Sequence, residues 1–310
     1  MKKFVYLLFF AALLLSPAVP PCFPETLVLN DQDQWQSVST LPEDLALIQK
    51  YLDQGKPKKA NKAAKKWIKE NPDSPYMDQA LFLKAQAQFD RKLYYQAFLD
   101  LEDLLNEYGT SKLFIPALER EVEIANLFLA GKKRKVWGFI PASARTEAIE
   151  ILDIVAEHWP GSELAARALM TQADYYFQKN RFIEAQQTYQ VVVDQYSKSQ
   201  YYQTALRLNA EASHAIYLGY YYDGSSLEDA KFRYLQYQAR FPDDAARIGV
   251  GQRLDRINWQ QGQKEYEIAD FYRRTKKYSS AKYYCQYIMK RWPDTEWAQK
   301  ARDMLEKYNL

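Results

Sequence analysis

The chain has 310 residues, 47% of them hydrophobic and 15% aromatic, and its 42 Lys and Arg against 39 Asp and Glu give a formal net charge of +3. Only 10 Gly and 13 Pro suit helices separated by turns, in a chain long enough to bury an extended core. Loss of Lys2 and Lys3 with an N-terminal signal would leave a charge of +1. Nucleic-acid binding needs a concentrated basic face, so we expect no nucleic-acid partner.

The residues that carry enzyme chemistry are sparse. The 2 histidines, His158 and His214, have no zinc-site or catalytic-triad spacing around them. No P-loop and no dinucleotide-binding glycine motif is present. Acidic pairs such as Asp100 with Asp103 are expected on the solvated faces of amphipathic helices. The sequence therefore predicts a protein that is not an enzyme and that uses no cofactor or metal.

The N-terminus resembles an export signal. Lys2 and Lys3 precede an apolar run from Phe4 to Leu15, which is too short to span a membrane permanently. We therefore predict an export signal over residues 1–21 and a mature chain outside the cytoplasm. An extended tether over 22–40 and a repeat domain over 41–310 follow it.

Two routes of signal processing fit this segment. Cleavage after Ala18 follows the small-x-small rule, whereas Cys22 stands where the acylated cysteine of a lipoprotein would lie. Val19, Pro20 and Pro21 depart from the lipoprotein pattern, which has a leucine at minus three and a small residue at minus one. Cys22 is therefore a candidate lipidation site, and the sequence leaves both routes open.

A small residue recurs at one register along the chain. Six alanines each stand twelve residues before a turn residue: Ala60, Ala97, Ala148, Ala185, Ala230 and Ala281. The turn residues are Pro72, Gly109, Pro160, Ser197, Pro242 and Pro293. Two residues later comes a type that caps helices: Ser74, Ser111, Ser162, Ser199, Asp244 and Thr295. A small side chain lets two helices approach closely, so the pattern predicts repeated helix-turn-helix units.

The alanine spacings of 37, 51, 37, 45 and 51 indicate a unit of 37 residues with three insertions. The first, at 131–144, falls between the paired helices of repeat three. The second is a predicted hairpin from Gly219 to Gly224 in repeat five. The third is a predicted unbroken helix from about Asp243 to Thr275. No run of alternating β-branched residues is long enough to predict a sheet.

These features resemble the tetratricopeptide family, whose second helix carries the same small and apolar positions before a proline. The expected fold is an all-α, tetratricopeptide-like α-solenoid of about six helix-turn-helix repeats. With an export signal and the ending Trp159-Pro160-Gly161-Ser162, the chain from about Leu41 to Leu310 looks like the BamD family of outer-membrane assembly lipoproteins. The insertion also resembles the loop region of that family.

The resemblance implies a role in the assembly of outer-membrane β-barrel proteins. In that family the N-terminal repeats receive unfolded barrel substrates, and the C-terminal half docks on the periplasmic POTRA domains of the barrel insertase. The implied location is the periplasm, at the inner face of the outer membrane, where an N-terminal lipid would add a peripheral membrane contact.

Two sets of residues are candidates for binding. Counting back from the repeat alanines places six residues on first helices, where they are predicted to line a peptide-binding groove or to belong to the core: Phe82, Gln86, Phe89, Met170, Asp174 and Phe177. The insertion joins four cations to two aromatic residues, a composition typical of a partner-binding loop or of a loop that packs on its own repeat: Lys132, Lys133, Arg134, Lys135, Trp137 and Phe139.

Two other functions fit the same sequence. A TolA-binding envelope or cell-division adaptor shares the repeat ending, although that family has an N-terminal coiled coil and this chain has no heptads there. A glycan-binding accessory protein would use the 25 Tyr as a stacking surface.

Cys22→Ser distinguishes the two processing routes. If Cys22 is acylated, this change should move the protein from the membrane fraction to the soluble periplasmic fraction, because the acyl chains hold it at the bilayer. Fractionation of the envelope with sequencing of the mature N-terminus measures this. Unchanged fractionation with an N-terminus at Val19 would exclude the lipid.

Overall fold

The computed structural model describes residues 42–136 and 140–309, with the backbone alone at 136, and also the backbone of 26–29 and 35–38. The export signal, Cys22, Trp137 and Phe139 lie outside the described residues. The chain divides into two compact units, residues 1–118 and 119–310, and each unit is described by itself.

The first unit contains two complete helix pairs. Its helices are α1 (Glu43–Asp53), α2 (Pro57–Glu70), α3 (Met77–Asp90) and α4 (Tyr94–Glu107). α1 packs on α2, α2 on α3 and α3 on α4, so each helix contacts its neighbours in sequence. The next helix, α5 (Phe114–Leu129), contains the boundary between the two units.

The second unit is also built from helices that pack on their neighbours in sequence. Its helices are α6 (Arg145–His158), α7 (Glu163–Gln178), α8 (Phe182–Gln195), α9 (Tyr202–Ala215), α10 (Ser225–Arg240), α11 (Pro242–Arg247), α12 (Val250–Arg274), α13 (Tyr278–Arg291) and α14 (Glu296–Tyr308). Successive helices pack from α6 through α10, and α12 packs on both α13 and α14. The fold class is therefore the predicted all-α, tetratricopeptide-like solenoid of helix pairs.

The alanine register is confirmed. All six repeat alanines lie on the second helix of a pair and are fully buried. In the second unit the apolar positions that follow them are also core, since Tyr189, Tyr234 and Tyr237 are among the largest fully buried side chains. A small residue at the close contact and a large one a turn later is the packing that the sequence predicted.

The turn after the first helix of a pair has one geometry that recurs along the described chain. Its central residue has a positive φ between 58° and 94° at five places: Gly55, Lys92, Gly131, Asn180 and Lys276. The next N–H donates to the carbonyl five residues back, for example from Leu93 to Gln88 and from Lys277 to Tyr272. This is the Schellman closure of a helix C-terminus. The alanine spacing did not predict it.

Two short antiparallel hairpins correct the expectation that the chain forms no sheet. β3 (Lys133–Val136) pairs with β4 (Ile140–Ser143) inside the predicted insertion, directly after the closure at Gly131. β1 (Thr26–Leu29) pairs with β2 (Trp35–Val38) in the segment predicted as an extended tether. Each strand has only 4 residues, so the sequence pattern was too short to indicate it.

The other two insertions also differ from prediction. The segment from Gly219 to Gly224 is a loop without paired strands, not a hairpin. The helix predicted from Asp243 to Thr275 is broken into α11 and α12, because Gly249 takes a left-handed conformation with a φ of 73°. A glycine adopts this conformation without a steric penalty, so α11 ends before it and α12 begins at the next residue.

The predicted helix caps are confirmed only at Ser162, whose hydroxyl accepts the N–H of Ala165 at 3.0 Å. Three other serines accept an N–H two residues further on, before their helix begins: Ser74, Ser111 and Ser199. Thr295 precedes α14 but donates its hydroxyl to the Trp292 carbonyl, and Asp244 lies inside α11. These residues therefore stabilise turns more often than helix ends.

Ala185→Leu should destabilise the second unit by about 1–3 kcal/mol, because α8 has no room for a larger side chain where Ala185 lies fully buried. The midpoint of chemical denaturation measures this. Gln187→Leu, at an exposed position of the same helix, is the control and should be nearly neutral. Equal losses in the two variants would show that the register is wrong.

Candidate protein-binding surfaces

The three predicted groove residues on α3 are half-buried and share one face of the helix. Phe82, Gln86 and Phe89 follow one another at intervals of four and three residues. The Gln86 amide donates to Asp90 at 2.8 Å, and the Phe89 ring meets the Tyr94 ring edge to face with centroids 5.2 Å apart. The face therefore presents two partly exposed aromatic rings with an amide between them.

Polar contacts within the first unit hold α3 in place. Lys84 on α3 forms an ion pair with Asp100 on α4 at 2.8 Å, and both side chains are largely buried. Burial raises the pKa of Asp100, while the hydrogen bond and charge of Lys84 oppose that rise. Asp100 was expected on a solvated face, and that expectation is wrong because its helix turns this carboxylate towards α3.

The three predicted groove residues on α7 have different environments. Met170 is only 5% exposed and belongs to the core, so its assignment to a groove is wrong. Asp174 accepts a hydrogen bond from the Tyr189 hydroxyl at 2.5 Å, and Phe177 packs edge to face on Phe182 at 5.3 Å. Because α7 packs on both α6 and α8, more of its surface is buried than was predicted by counting back from the repeat alanine.

A polar network joins the first helices of repeats five and six in the second unit. Glu211 on α9 pairs with Arg207 at 2.8 Å and with Arg253 on α12 at 2.7 Å. Arg253 also donates to the Tyr234 hydroxyl at 3.2 Å. Sequence reasoning missed this network. The i, i+4 spacing of Arg207 and Glu211 was the only signal available, since Arg253 lies 42 residues further on.

Two ionisable residues beside this network have shifted pKa values. Burial raises the pKa of Asp174, although the Tyr189 hydrogen bond and the Arg207 charge oppose that rise. Burial also lowers the pKa of His214, whose ring nitrogen Nε2 is 2.7 Å from the Gln260 side-chain oxygen. The partly buried His214 ring therefore links α9 to α12.

The insertion places its cations on the β3–β4 hairpin and its approach. Lys132, Lys133 and Lys135 are exposed. Arg134 points the other way along the alternating strand and forms an ion pair with Glu147 on α6 at 2.7 Å. Arg134 thus ties the hairpin to its own repeat, and the three lysines remain the candidate partner contacts. Trp137 and Phe139 lie outside the described residues.

Repeat five exposes large apolar side chains that the sequence reasoning did not single out. Tyr221 is 83% exposed in the loop before α10, and Phe232 is 67% exposed on α10. Leu218, Tyr222 and Leu235 are exposed as well. Exposed apolar groups of this size are typical of protein-interaction surfaces when they lie together.

The side chain of Cys285 lies in the core of the last helix pair. Cys285 is a buried thiol on α13 beside the Met304 sulfur, and burial raises its pKa to about 11, as suits a core position. Among the described residues, no group of His, Cys, Asp and Glu side chains could hold a metal ion. No helix in the described part of the chain is long and apolar enough to cross a membrane.

Comparison with known proteins yields structural neighbours alone. No family model matches the chain, and no curated protein matches it. A tetratricopeptide repeat protein from Parabacteroides merdae is 12% identical, with a TM-score of 0.35 over 84% of this chain and 96% of that one. A thermophilic tetratricopeptide protein from Thermus thermophilus is 14% identical, with a TM-score of 0.30 over 69% and 97%.

PilW, described as a widely conserved type IV pilus biogenesis factor, is also similar to this chain. It is 14% identical, with a TM-score of 0.29 over 83% of this chain and 96% of the other. Likeness at this level says nothing about function. The fold class rests on the helix pairs and buried alanines of the chain itself.

Asp174→Asn should raise stability at neutral pH and lose this advantage in acid. A carboxyl group whose pKa is higher in the folded than in the unfolded protein stabilises the fold at pH values below its unfolded-state pKa. That stabilisation is lost as the pH rises through the folded-state pKa. The neutral amide oxygen still accepts from Tyr189 without the cost of a buried charge. Thermal midpoints measured from about pH 3 to pH 7 test this. A variant that is less stable than the parent throughout would contradict it.

Proposed function

We propose that this protein is a non-enzymatic scaffold in the assembly of outer-membrane β-barrel proteins. It would bind unfolded barrel proteins and the POTRA domains of the barrel insertase in the periplasm, at the inner face of the outer membrane. The observation that carries the proposal is the basic hairpin between the paired helices of repeat three. The fold, the resemblance of the repeats and the predicted export signal support it.

The half-buried face of α3 suits an unfolded barrel segment. Such segments alternate apolar and polar side chains, because one side of each strand faces lipid in the final barrel. Phe82 and Phe89 offer two apolar contacts, and Gln86 between them offers an amide. An extended peptide with aromatic or aliphatic anchors would be recognised through alternate side chains.

The hairpin suits a folded partner with an acidic surface. Lys132, Lys133 and Lys135 stand exposed on a short element that is tied to α6 through Arg134 and Glu147. Cations held on such an element steer an acidic partner into one orientation, and their loss lowers the association rate. We therefore assign the hairpin to the insertase and the α3 face to the client.

Charge reversal of the hairpin tests this assignment. Lys132→Glu with Lys133→Glu and Lys135→Glu should weaken binding to the POTRA domains of the insertase from the same organism by at least about tenfold. Binding is measured on purified proteins at low and high salt, with thermal midpoints as a check on folding.

The matched control makes the same charge change on another exposed surface. Lys58→Glu with Lys62→Glu and Lys69→Glu, all exposed on α2, should leave POTRA binding nearly unchanged. Equal binding by the hairpin variant and the parent would contradict the assignment. Crosslinking in envelope extracts that captured TolA, or peptidoglycan instead of the insertase, would contradict the proposed function itself.

A further inference from the structure

The C-terminal helix pair carries a concentrated positive charge, as does α2 with its six lysines, in a chain whose formal net charge is only +3. Residues 271–293 contain no Asp or Glu, and they include seven cations: Arg273, Arg274, Lys276, Lys277, Lys282, Lys290 and Arg291. This stretch covers the end of α12, the Schellman turn at Lys276 and the whole of α13. Neither the repeat pattern nor the proposed function accounts for this charge.

The same stretch carries a continuous row of aromatic rings. The rings follow one another with centroids 5.4 to 6.4 Å apart, in the order Phe271, Tyr272, Tyr284, Tyr283, Tyr287 and Trp292. Tyr283 is 63% exposed, and Phe271 and Tyr287 are exposed as well. A row of this kind leaves much apolar area in water, which is unusual without a binding role.

The exposed side of α13 is distinct from its packed side. Ala281, Cys285 and Ile288 are fully buried and hold the helix in place. On the opposite side, residues at intervals of three and four are all exposed: Lys282, Tyr283, Gln286, Tyr287 and Lys290. Cations and tyrosines therefore share one face, which we call the basic tyrosine face.

Most of the cations near this face have no carboxylate to neutralise them. Asp270 binds both Arg273 and Arg274, at 2.7 and 2.9 Å. No Asp or Glu within the described part of the chain forms an ion pair with the other five: Lys276, Lys277, Lys282, Lys290 and Arg291. An anionic occupant would supply the missing charge.

We propose that the basic tyrosine face docks on a membrane surface rich in anionic phospholipid headgroups. Lysines beside a bilayer are attracted by anionic lipids without needing a fixed geometry, and the amphipathic rings of tyrosines sit at the headgroup level of the membrane–water interface. A protein partner is less favoured by the composition. Protein interfaces are enriched in arginine and depleted in lysine, whereas four of the five unpaired cations here are lysines.

This contact is independent of the proposed role in barrel assembly. It needs neither the insertase nor a lipid on Cys22, and it would orient the second unit at a bilayer by its C-terminal pair. The membrane contact is therefore tested with lipid vesicles and the isolated protein. If the protein fails to bind vesicles, the prediction for POTRA binding is unaffected.

Vesicle sedimentation tests the proposal. The protein is the chain beginning at Val19 with Cys22→Ser, which keeps every described residue and excludes any acyl chain. We expect it to sediment with vesicles of mixed phosphatidylglycerol and phosphatidylcholine, and not with phosphatidylcholine alone. High salt should release it, because the attraction is between exposed charges.

Two sets of variants separate charge from aromatic contact. Lys276→Glu with Lys282→Glu and Lys290→Glu should weaken partitioning on the order of a hundredfold, since each cation near an anionic surface contributes several-fold. Tyr283→Ser with Tyr287→Ser should weaken it at unchanged charge. The triple reversal at Lys58, Lys62 and Lys69 on α2 is the control and should keep most of the binding, and circular dichroism checks that every variant is folded.

Three results would overturn the proposal. The first is no binding of the parent to anionic vesicles, and the second is an equal loss in the α2 control, which would mean that overall charge alone is responsible. The third is binding to poly-glutamate, but not to vesicles, that depends on the same lysines and tyrosines. That outcome would assign the face to an acidic protein segment.

Discussion

Two helices can approach closely only where a small side chain lies between their backbones, and in this chain a buried alanine on the second helix of each pair meets that requirement. Once Ala185 is fixed at the contact, Tyr189 and Val192 on the same face must also be buried, and they are. The other side of the helix is then left to solvent, and there Ile183 is exposed. The alanine contact thus decides which side chains are available to a partner.

Between the paired helices, the closing turn decides where the chain can be extended. In repeat three the helix closes at Gly131 as its counterparts do, and the basic hairpin follows before the second helix begins. The ion pair from Arg134 to Glu147 then holds the hairpin against α6. The hairpin is thus added between the two helices of the repeat, while the repeat alanine Ala148 on α6 remains fully buried. In repeat six the same turn, at Lys276, instead brings cations beside the aromatic row.

The alanine register and the fold class could be predicted from the sequence, because they depend on spacing along the chain. Features that depend on partners distant in sequence could not. Met170 was assigned to a groove and is core, since α7 is covered on two sides. The link from Glu211 to Arg253 has no local pattern. Lysines at positive φ in two turns also escaped prediction, because glycine or asparagine is the usual signal for that conformation.

If the alanine contacts hold each helix pair to its neighbours alone, a defect in one repeat should spread only to adjacent helices. Hydrogen exchange of Ala230→Leu, measured by mass spectrometry against the parent chain, tests this most directly. We expect faster exchange in α9 and α10 and in the neighbouring α8 and α12, with α2 to α4 unchanged. Uniformly faster exchange along the chain, or no change in α9 and α10, would contradict the account.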